Sequence, residues 1–459
     1  MKRALLSAIV VGGIVLAAVL PVPESDPVPV FPEPVAGEAV AAIGESVWYC
    51  AAGDSDDRRD AELYLATLDS GPVAITWPSP FGADDADVAR RVFDDRGAEV
   101  ISVSDFLRRG PVPALVEFES GPAAAAVASM VTDEGLVPQL SGTTCRAAVS
   151  KEWHIAGGTT RDGAALVLRL FNPFPDVAKV GLAGASEFGS QPLGDVIDVA
   201  GRSFRDIDLS AAARFLDDLS LTMTVAEGQV VPVMLWDEGA DRAVWSATGL
   251  STSWDFPFAD REGLVASIVI YNPGPSTVIV EVDSYGSAGL RPAVATLGVD
   301  VARPLRVLVG DLDGEADGFR IRASGPITAS LIVEGLIPED PDAVGVEGEE
   351  VVLVPDGRLG AMSGIPVPAE RWLLPGAGAA RSVIHLMNPE RADATVTLVA
   401  LGSQRSPEKV LVAAGGVLPV TVPVGSGGYL VESDRPVSVV WSVEVEGGFA
   451  LFTGVEIGD

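Results

Sequence analysis

Asparagine occurs three times in this chain, at Asn172, Asn272 and Asn388, and each is followed by proline, at Pro173, Pro273 and Pro389. Each pair ends a segment of alternating apolar residues: 166–172, 267–272 and 383–388. A second alternating run follows each one, at 178–182, 277–282 and 394–398. Alternation with a period of two is the mark of a half-buried strand. An asparagine side chain can bond the backbone two residues on, and proline then fixes φ and cannot extend a ladder. Asn-Pro therefore ends one strand and opens the connection to the next. Proline in the second position also blocks the glycosylation sequon.

Other marks keep the same order. Trp153, Trp254 and Trp372 precede the asparagines by 19, 18 and 16 residues. Turn sequences at 119–122, 227–230, 324–326 and 432–436 precede apolar strands. A small hydroxyl and a glycine close each unit, at Ser141-Gly142, Thr248-Gly249, Ser363-Gly364 and Thr453-Gly454. An earlier unit carries Trp48 and the strand 61–65 but no Asn-Pro, and Asp69-Ser70-Gly71 is expected to turn the chain there. The tryptophans are 105, 101 and 118 residues apart, too long for a propeller blade and right for a complete sandwich of six to eight strands.

The expected architecture is all-β: four tandem antiparallel β-sandwich, immunoglobulin-like units at 41–150, 151–251, 252–369 and 370–459. Short helical insertions are expected at 87–95 and 211–219, where Ala, Arg and Leu cluster. Residues 338–350, rich in Pro, Asp and Glu, read as a hairpin excursion. No long Gly/Ser linker separates the units, so they should pack into a semi-rigid rod or a compact arc.

The start of the chain bears on compartment. Lys2 and Arg3 precede an apolar run, residues 4–20, within a segment 1–20 that reads as a signal peptide or a membrane anchor. Six prolines in 21–40 make a stiff spacer. The expected location is therefore outside the membrane: anchored through residues 4–20, or secreted if that segment is cleaved. In an oxidising compartment, Cys50 and Cys145 are expected to form a disulfide.

Charge narrows the partners. With 31 Lys+Arg against 64 Asp+Glu the formal charge is −33, which excludes a nucleic-acid binder. Two Cys and two His offer almost nothing for a transition metal, and no cofactor is expected.

The segments Trp48-Tyr49-Cys50 and Trp153-His154-Ile155-Ala156-Gly157-Gly158, with the Trp, strand and Asn-Pro pattern, resemble an uncharacterised family of exported actinobacterial proteins. Its members carry an N-terminal hydrophobic segment and tandem β-sandwich units. They tend to be encoded near envelope glycosylation functions, which implies an envelope role. The family has no assigned activity to carry over.

Catalytic motifs are thin. His154, beside a Gly-rich stretch, is a candidate binding residue, and His385 lies within an alternating strand. Ser406-Pro-Glu-Lys409 has the bare S-x-x-K form without its companion motifs. The acidic stretches 311–317, 54–57 and 84–87 could offer oxygens to calcium but lack full loop spacing. The repeated Trp48, Trp153, Trp254 and Trp372 read as packing residues. The resulting expectation is a noncatalytic interaction or scaffold protein of the cell envelope, whose partner is an envelope protein or polysaccharide. The alternatives are a carbohydrate-binding accessory to envelope polysaccharide synthesis and an enzyme using carboxylates assembled by the fold.

Overall fold

The computed structural model describes residues 46–79, 86–131, 139–194, 196–239, 241–259, 261, 263–338, 353–445 and 448–458. All of these fall within one compact unit, Phe31–Asp459. The apolar run 4–20, the Pro-rich spacer and the excursion beyond Pro338 lie outside the described residues. Among the described residues no helix is long and apolar enough to cross a membrane.

The fold is all-β, built from four copies of one two-sheet unit. The second copy shows the plan. Its strands are Glu152–Ile155, Ala164–Asn172, Ala178–Ser186, Gly189–Pro192 with Ile197–Val199, Ser203–Asp208, Ser220–Glu227, Val231–Glu238 and Asp241–Ser246. Taken as positions one to eight, they pair 1-6-3-4 in one sheet and 5-2-7-8 in the other. Alternation aims Trp153, Leu221, Met223 and Val180 from the first sheet against Leu168, Leu170, Met234 and Trp236 from the second, and these side chains share one core.

The same two orders recur in the other units, whose first strands are Ser46–Cys50, Ser251–Phe256 and Ala369–Leu374. In the third and fourth units, positions six and seven are one bent strand, Gly318–Pro338 and Gly428–Val445. In the first two, glycines in the left-handed region, Gly121 at φ 68° and Gly228 at φ 65°, break it.

Two expectations are corrected here. An immunoglobulin domain pairs strand two with one and five, and strand six with three and seven. Here the 2–5 and 3–6 pairs persist, but strand one joins six and strand seven joins two, so the first and seventh strands have exchanged sheets. The helix expected at 87–95 is a strand, Asp87–Phe93, paired residue for residue with Gly71–Trp77. Ladder hydrogen bonds there outweigh the helical preference of Ala and Arg. Of the stretch 211–219, only its start belongs to a helix, the single turn Leu209–Ala212, capped by Asp208.

The units close on themselves. The eighth strands Leu140–Thr144, Asp241–Ser246, Leu353–Ser363 and Gly448–Thr453 pack in a cycle, the last against the first. The result is a propeller-like ring of four blade-like units about an axis, not a rod or an arc, and each two-sheet unit fills the place of a blade despite the long spacing. Small residues let the strands meet: a Cβ on Gly142 would lie 2.5 Å from Phe452, and one on Gly360 would lie 2.6 Å from Phe449. Apolar cores run across the seams, as where Phe171, Val231 and Leu235 of the second unit join the core of the first.

Candidate functional site: the axial cavity and the unit seams

The three asparagines make one constellation. Asn172 Nδ2 donates to Asp176 O and Val199 O at 2.8 and 3.1 Å, and its Oδ1 accepts from Phe174 N–H at 3.1 Å. Asn272 repeats this with Ser276 O, Val299 O and Gly274 N–H. Asn388 does so with Ala392 O, Val412 O and Glu390 N–H. One side chain thus ties the end of strand two, the entry to strand three and the end of strand four. The following prolines have no N–H to leave unpaired. In the first unit Thr67 takes this position, accepting from Asp69 N–H at 3.2 Å and donating to Asp69 O at 3.0 Å. The asparagines are fully buried. Asn272→Ala, which strands two carbonyls and one amide, is expected to cost about 2–4 kcal/mol in urea unfolding.

At the axis each eighth strand ends in a hydroxyl. Thr144, Ser246 and Ser363 donate to the carbonyls of Thr453, Thr144 and Ser246 at 2.6, 3.4 and 2.6 Å. These bonds run the same way round three of the four seams. The equivalent residues in the first two units are therefore Thr144 and Ser246, not Ser141 and Thr248 as the sequence marks suggested. Two residues beyond each hydroxyl the chain bonds back to the residue after the tryptophan. The pairs are Tyr49 with Arg146, His154 with Thr248, Asp255 with Ile365, and Leu373 with Val455. The Cys50–Cys145 disulfide, with Cα atoms 4.5 Å apart, sits next to the first of these clasps.

A cavity of about 400 Å³ opens among the clasps, lined by Trp48, Trp153, Trp254 and Trp372 with Arg146 and Glu456. The tryptophans are only 1–3% exposed, so the ring faces belong to the cores. Trp254 Nε1 donates to Ile327 O at 3.1 Å and Trp372 Nε1 to Val437 O at 2.9 Å. Trp48 and Trp153, in the units whose long strand is broken, find no such partner among the described residues. Arg146 lies 5.7 Å from the Trp153 ring. Burial pushes the Glu456 carboxyl up. The volume suits one small ligand.

The seams use a position that sequence reading missed, three residues before each asparagine or Thr67. Each such residue meets the segment after the preceding unit's first strand. A Cβ on Gly376 would lie 2.4 Å from Tyr64. Arg169 donates to Gly53 O at 3.0 Å and pairs with Asp54 at 3.1 Å. A Cβ on Gly157 would lie 3.2 Å from Val269. The His385 ring is edge-on to Phe258, with centroids 5.3 Å apart. One structural position therefore carries four chemistries, aromatic, ionic, aliphatic and imidazole. The only sequence signal was a constant offset from asparagine.

Both histidines are buried in this framework. His154 Nδ1 lies 3.1 Å from Thr222 Oγ1, which lies 3.0 Å from Tyr271 Oη of the third unit. Burial pulls its pKa down to about 4, although the exposed Glu152 carboxylate is 3.4 Å from Nε2. His385 Nε2 lies 3.0 Å from Ser442 Oγ, and burial followed by the nearby Arg261 charge pulls it down to about 3. Below the ordinary value of 6.5 an unfolded chain binds protons that the folded one refuses. Stability is expected to fall as pH drops from 6.5 toward 4, and a His154→Asn, His385→Gln pair should flatten urea midpoints across that window.

The described parts of the acidic stretches bond to nearby partners. Asp313 accepts from Ser284 Oγ at 2.6 Å and pairs with Arg291 at 2.9 Å. Asp54 lies between Arg169 and Arg242, and Asp56 accepts from two backbone amides. Asp84 and Asp85 lie outside the described residues. Among the described residues no group of three or more His, Cys, Asp or Glu is placed to hold a metal. Lys409 lies on the edge strand Glu408–Val412.

These features define a class: an all-β ring of four two-sheet units, pinned by buried asparagines and a disulfide. The family model described as "Family of unknown function (DUF5719)" matches residues 108–345, more than half of the chain, and the chain belongs to that family. No curated protein matches it. A solved structure described as the crystal structure of a tetra-tandem repeat in the extending region of a large adhesion protein aligns at 11% identity. The alignment covers 91% of this chain and 100% of that one, with a TM-score of 0.10, and carries no argument about this chain.

Proposed function

We propose that the protein is a noncatalytic interaction or scaffold protein of the cell envelope, exported and held at the membrane by its N-terminal segment. One observation carries this reading. The residue types with most capacity for chemistry are committed to the framework: all eight tryptophans and both histidines are buried, and the central Asp54 carboxylate is paired. What remains is a rigid, acidic ring suited to presenting surfaces. The disulfide supports an oxidising compartment. Anchoring, export and an actinobacterial envelope setting rest on the N-terminal sequence and the resemblance.

A second reading, a carbohydrate-binding accessory, draws on the axial cavity, whose size and hydroxyl-rich lining suit a sugar ring. Tryptophan stacking faces do not support it, since none is exposed. The test is a pull-down with the soluble ring, starting near Val35, from solubilised host membranes and isolated wall polysaccharide at two salt concentrations. Specific retention of a membrane protein is the expected result. Saturable polysaccharide binding that survives salt would replace the scaffold reading with the second one.

A further inference from the structure

We propose that the outer face of the first unit's first sheet is a homodimer surface, and that a second copy of this chain docks on it through two symmetric Arg90–Glu117 pairs. The inference is independent of the reading above and starts from strand register. Val47 pairs with Glu117, Glu117 with Ala74, and Ala74 with Arg90, so the four form one row across the sheet. Opposed residues in antiparallel strands point to the same side. The row's chain neighbours Trp48, Val116, Ile75 and Ala89 are buried, so the row itself faces out.

Its two charges stand on either side of an alanine, about 10 Å apart at ~4.8 Å per strand. Among the described residues neither Arg90 nor Glu117 forms an ion pair. Apolar side chains flank them: Val88 is 53% exposed and Val92 68% exposed, with Leu115 in the row of Val88 through Thr76.

The equivalent faces of the third and fourth units neutralise themselves. In the fourth unit the matching row is Arg371, Glu432, Thr397 and Lys409, and Arg371 lies 3.6 Å from Glu432. In the third, Arg320 pairs with Asp255 at 2.6 Å and Arg322 with Asp283 at 2.9 Å. In the first unit valine stands where the fourth has Arg371. Glu117 is left with no neighbour in its row to pair with, and the base that would satisfy it lies beyond Ala74.

A two-fold axis over Ala74, parallel to the strands and lying between two stacked sheets, supplies that base. It turns each copy so that Glu117 faces the partner's Arg90, Arg90 faces the partner's Glu117, and Val88 faces the partner's Leu115. The arrangement is isologous, as a closed dimer requires. A four-stranded face about 15–20 Å on a side buries only about 450–800 Å² over both copies, less than a stable specific interface, so the dimer is weak and concentration-dependent. The net charge of −33 on each copy opposes it, and about 0.15 M salt screens that repulsion beyond ~8 Å.

The experiment is sedimentation velocity in 0.15 M salt on the full chain in detergent micelles and on the compact unit from Phe31, from micromolar to several hundred micromolar protein. The wild type is expected to shift to a dimer with rising concentration. Glu117→Arg and Arg90→Glu, both at exposed positions, should each weaken dimerisation at least tenfold without moving the thermal midpoint. The double exchange should recover it to within about threefold. In addition, Ala74→Cys should cross-link to its own copy through a short bis-maleimide. A monomer throughout the range, a dimer indifferent to either reversal, or single losses that the double exchange does not repair would each overturn the proposal. The last of these would point to edge pairing through strand Asp87–Phe93 instead.

Discussion

Replacing Arg169 by methionine is expected to destabilise the ring by about 3–5 kcal/mol, because it leaves Asp54 and Asp206 short of the cation between them. Arg169 is buried, and its guanidinium bonds Asp206 at 2.8 and 2.9 Å, Asp54 at 3.1 Å and Gly53 O at 3.0 Å. Arg242 also holds Asp54 and grips Asp237 with two bonds, at 2.6 and 2.7 Å. Methionine keeps most of the volume, so the loss is electrostatic.

Replacing Asp54 by leucine in the same molecule should recover part of the loss, since it removes a buried carboxylate that has lost one of its two bonded arginines. Urea unfolding of the two single variants and the double variant measures this as a coupling energy. Additive losses would show that the pair does not act as a unit.

The pH dependence has a fixed sign. Burial alone would raise the Asp54 carboxyl, but Arg169, Arg242 and then Arg59 outweigh it and hold the group below the ordinary carboxylate range. Its contribution is present above the unfolded value and is lost as pH falls through the folded one. The Arg169→Met protein should therefore show a shallower acid transition below pH ~4 than the wild type.

Removing the disulfide is the other large effect. Cys50 and Cys145 are 95 residues apart, and opening so long a loop should release chain entropy worth about 4–5 kcal/mol. The neighbouring clasp holds the same ends without covalent help: Tyr49 N–H donates to Arg146 O at 2.7 Å, and Arg146 N–H donates to Tyr49 O at 3.0 Å. A Cys50→Ala, Cys145→Ala protein should thus keep its native arrangement while its unfolding midpoint drops sharply. The first unit also relies on Thr67 where the others use asparagine, so hydrogen exchange should speed up there first. An unchanged midpoint after reduction, with free thiols confirmed, would contradict this account.

The strands were legible because each unit repeats two alternating runs around a turn whose chemistry is local. Asn272 binds backbone within four residues on one side, and such short-range bonds leave a sequence signature. The seams were not legible. Arg169 reads in sequence as one charged residue in an apolar strand, and its partner Asp54 is 115 positions away. Nothing periodic marks the pair. Ring closure was hidden for the same reason: it joins residues near 142 to residues near 450, a relation between ends that no local pattern encodes. The strand Asp87–Phe93 was misread because composition reports preference, whereas pairing with Gly71–Trp77 decides the outcome. The hydroxyl marks were found but misaligned by a few residues, since Ser141 and Thr144 look alike until their strand is registered on its neighbour.

The seam between the last unit and the first differs from the other three in having no peptide across it. Thr144 and Thr453 meet there only through a hydrogen bond and packing. Because the remaining units hold these two surfaces side by side, each meets the other at an effective concentration of millimolar order. A contact too weak to join separate molecules can therefore stay shut. No unit is terminal, and each can leave only by parting from two neighbours at once. Damage to one seam is absorbed by the tether that the rest of the circle provides. A cut in any one of the three connecting peptides would leave two seams without a peptide, and the two fragments would then be held together by those seams alone.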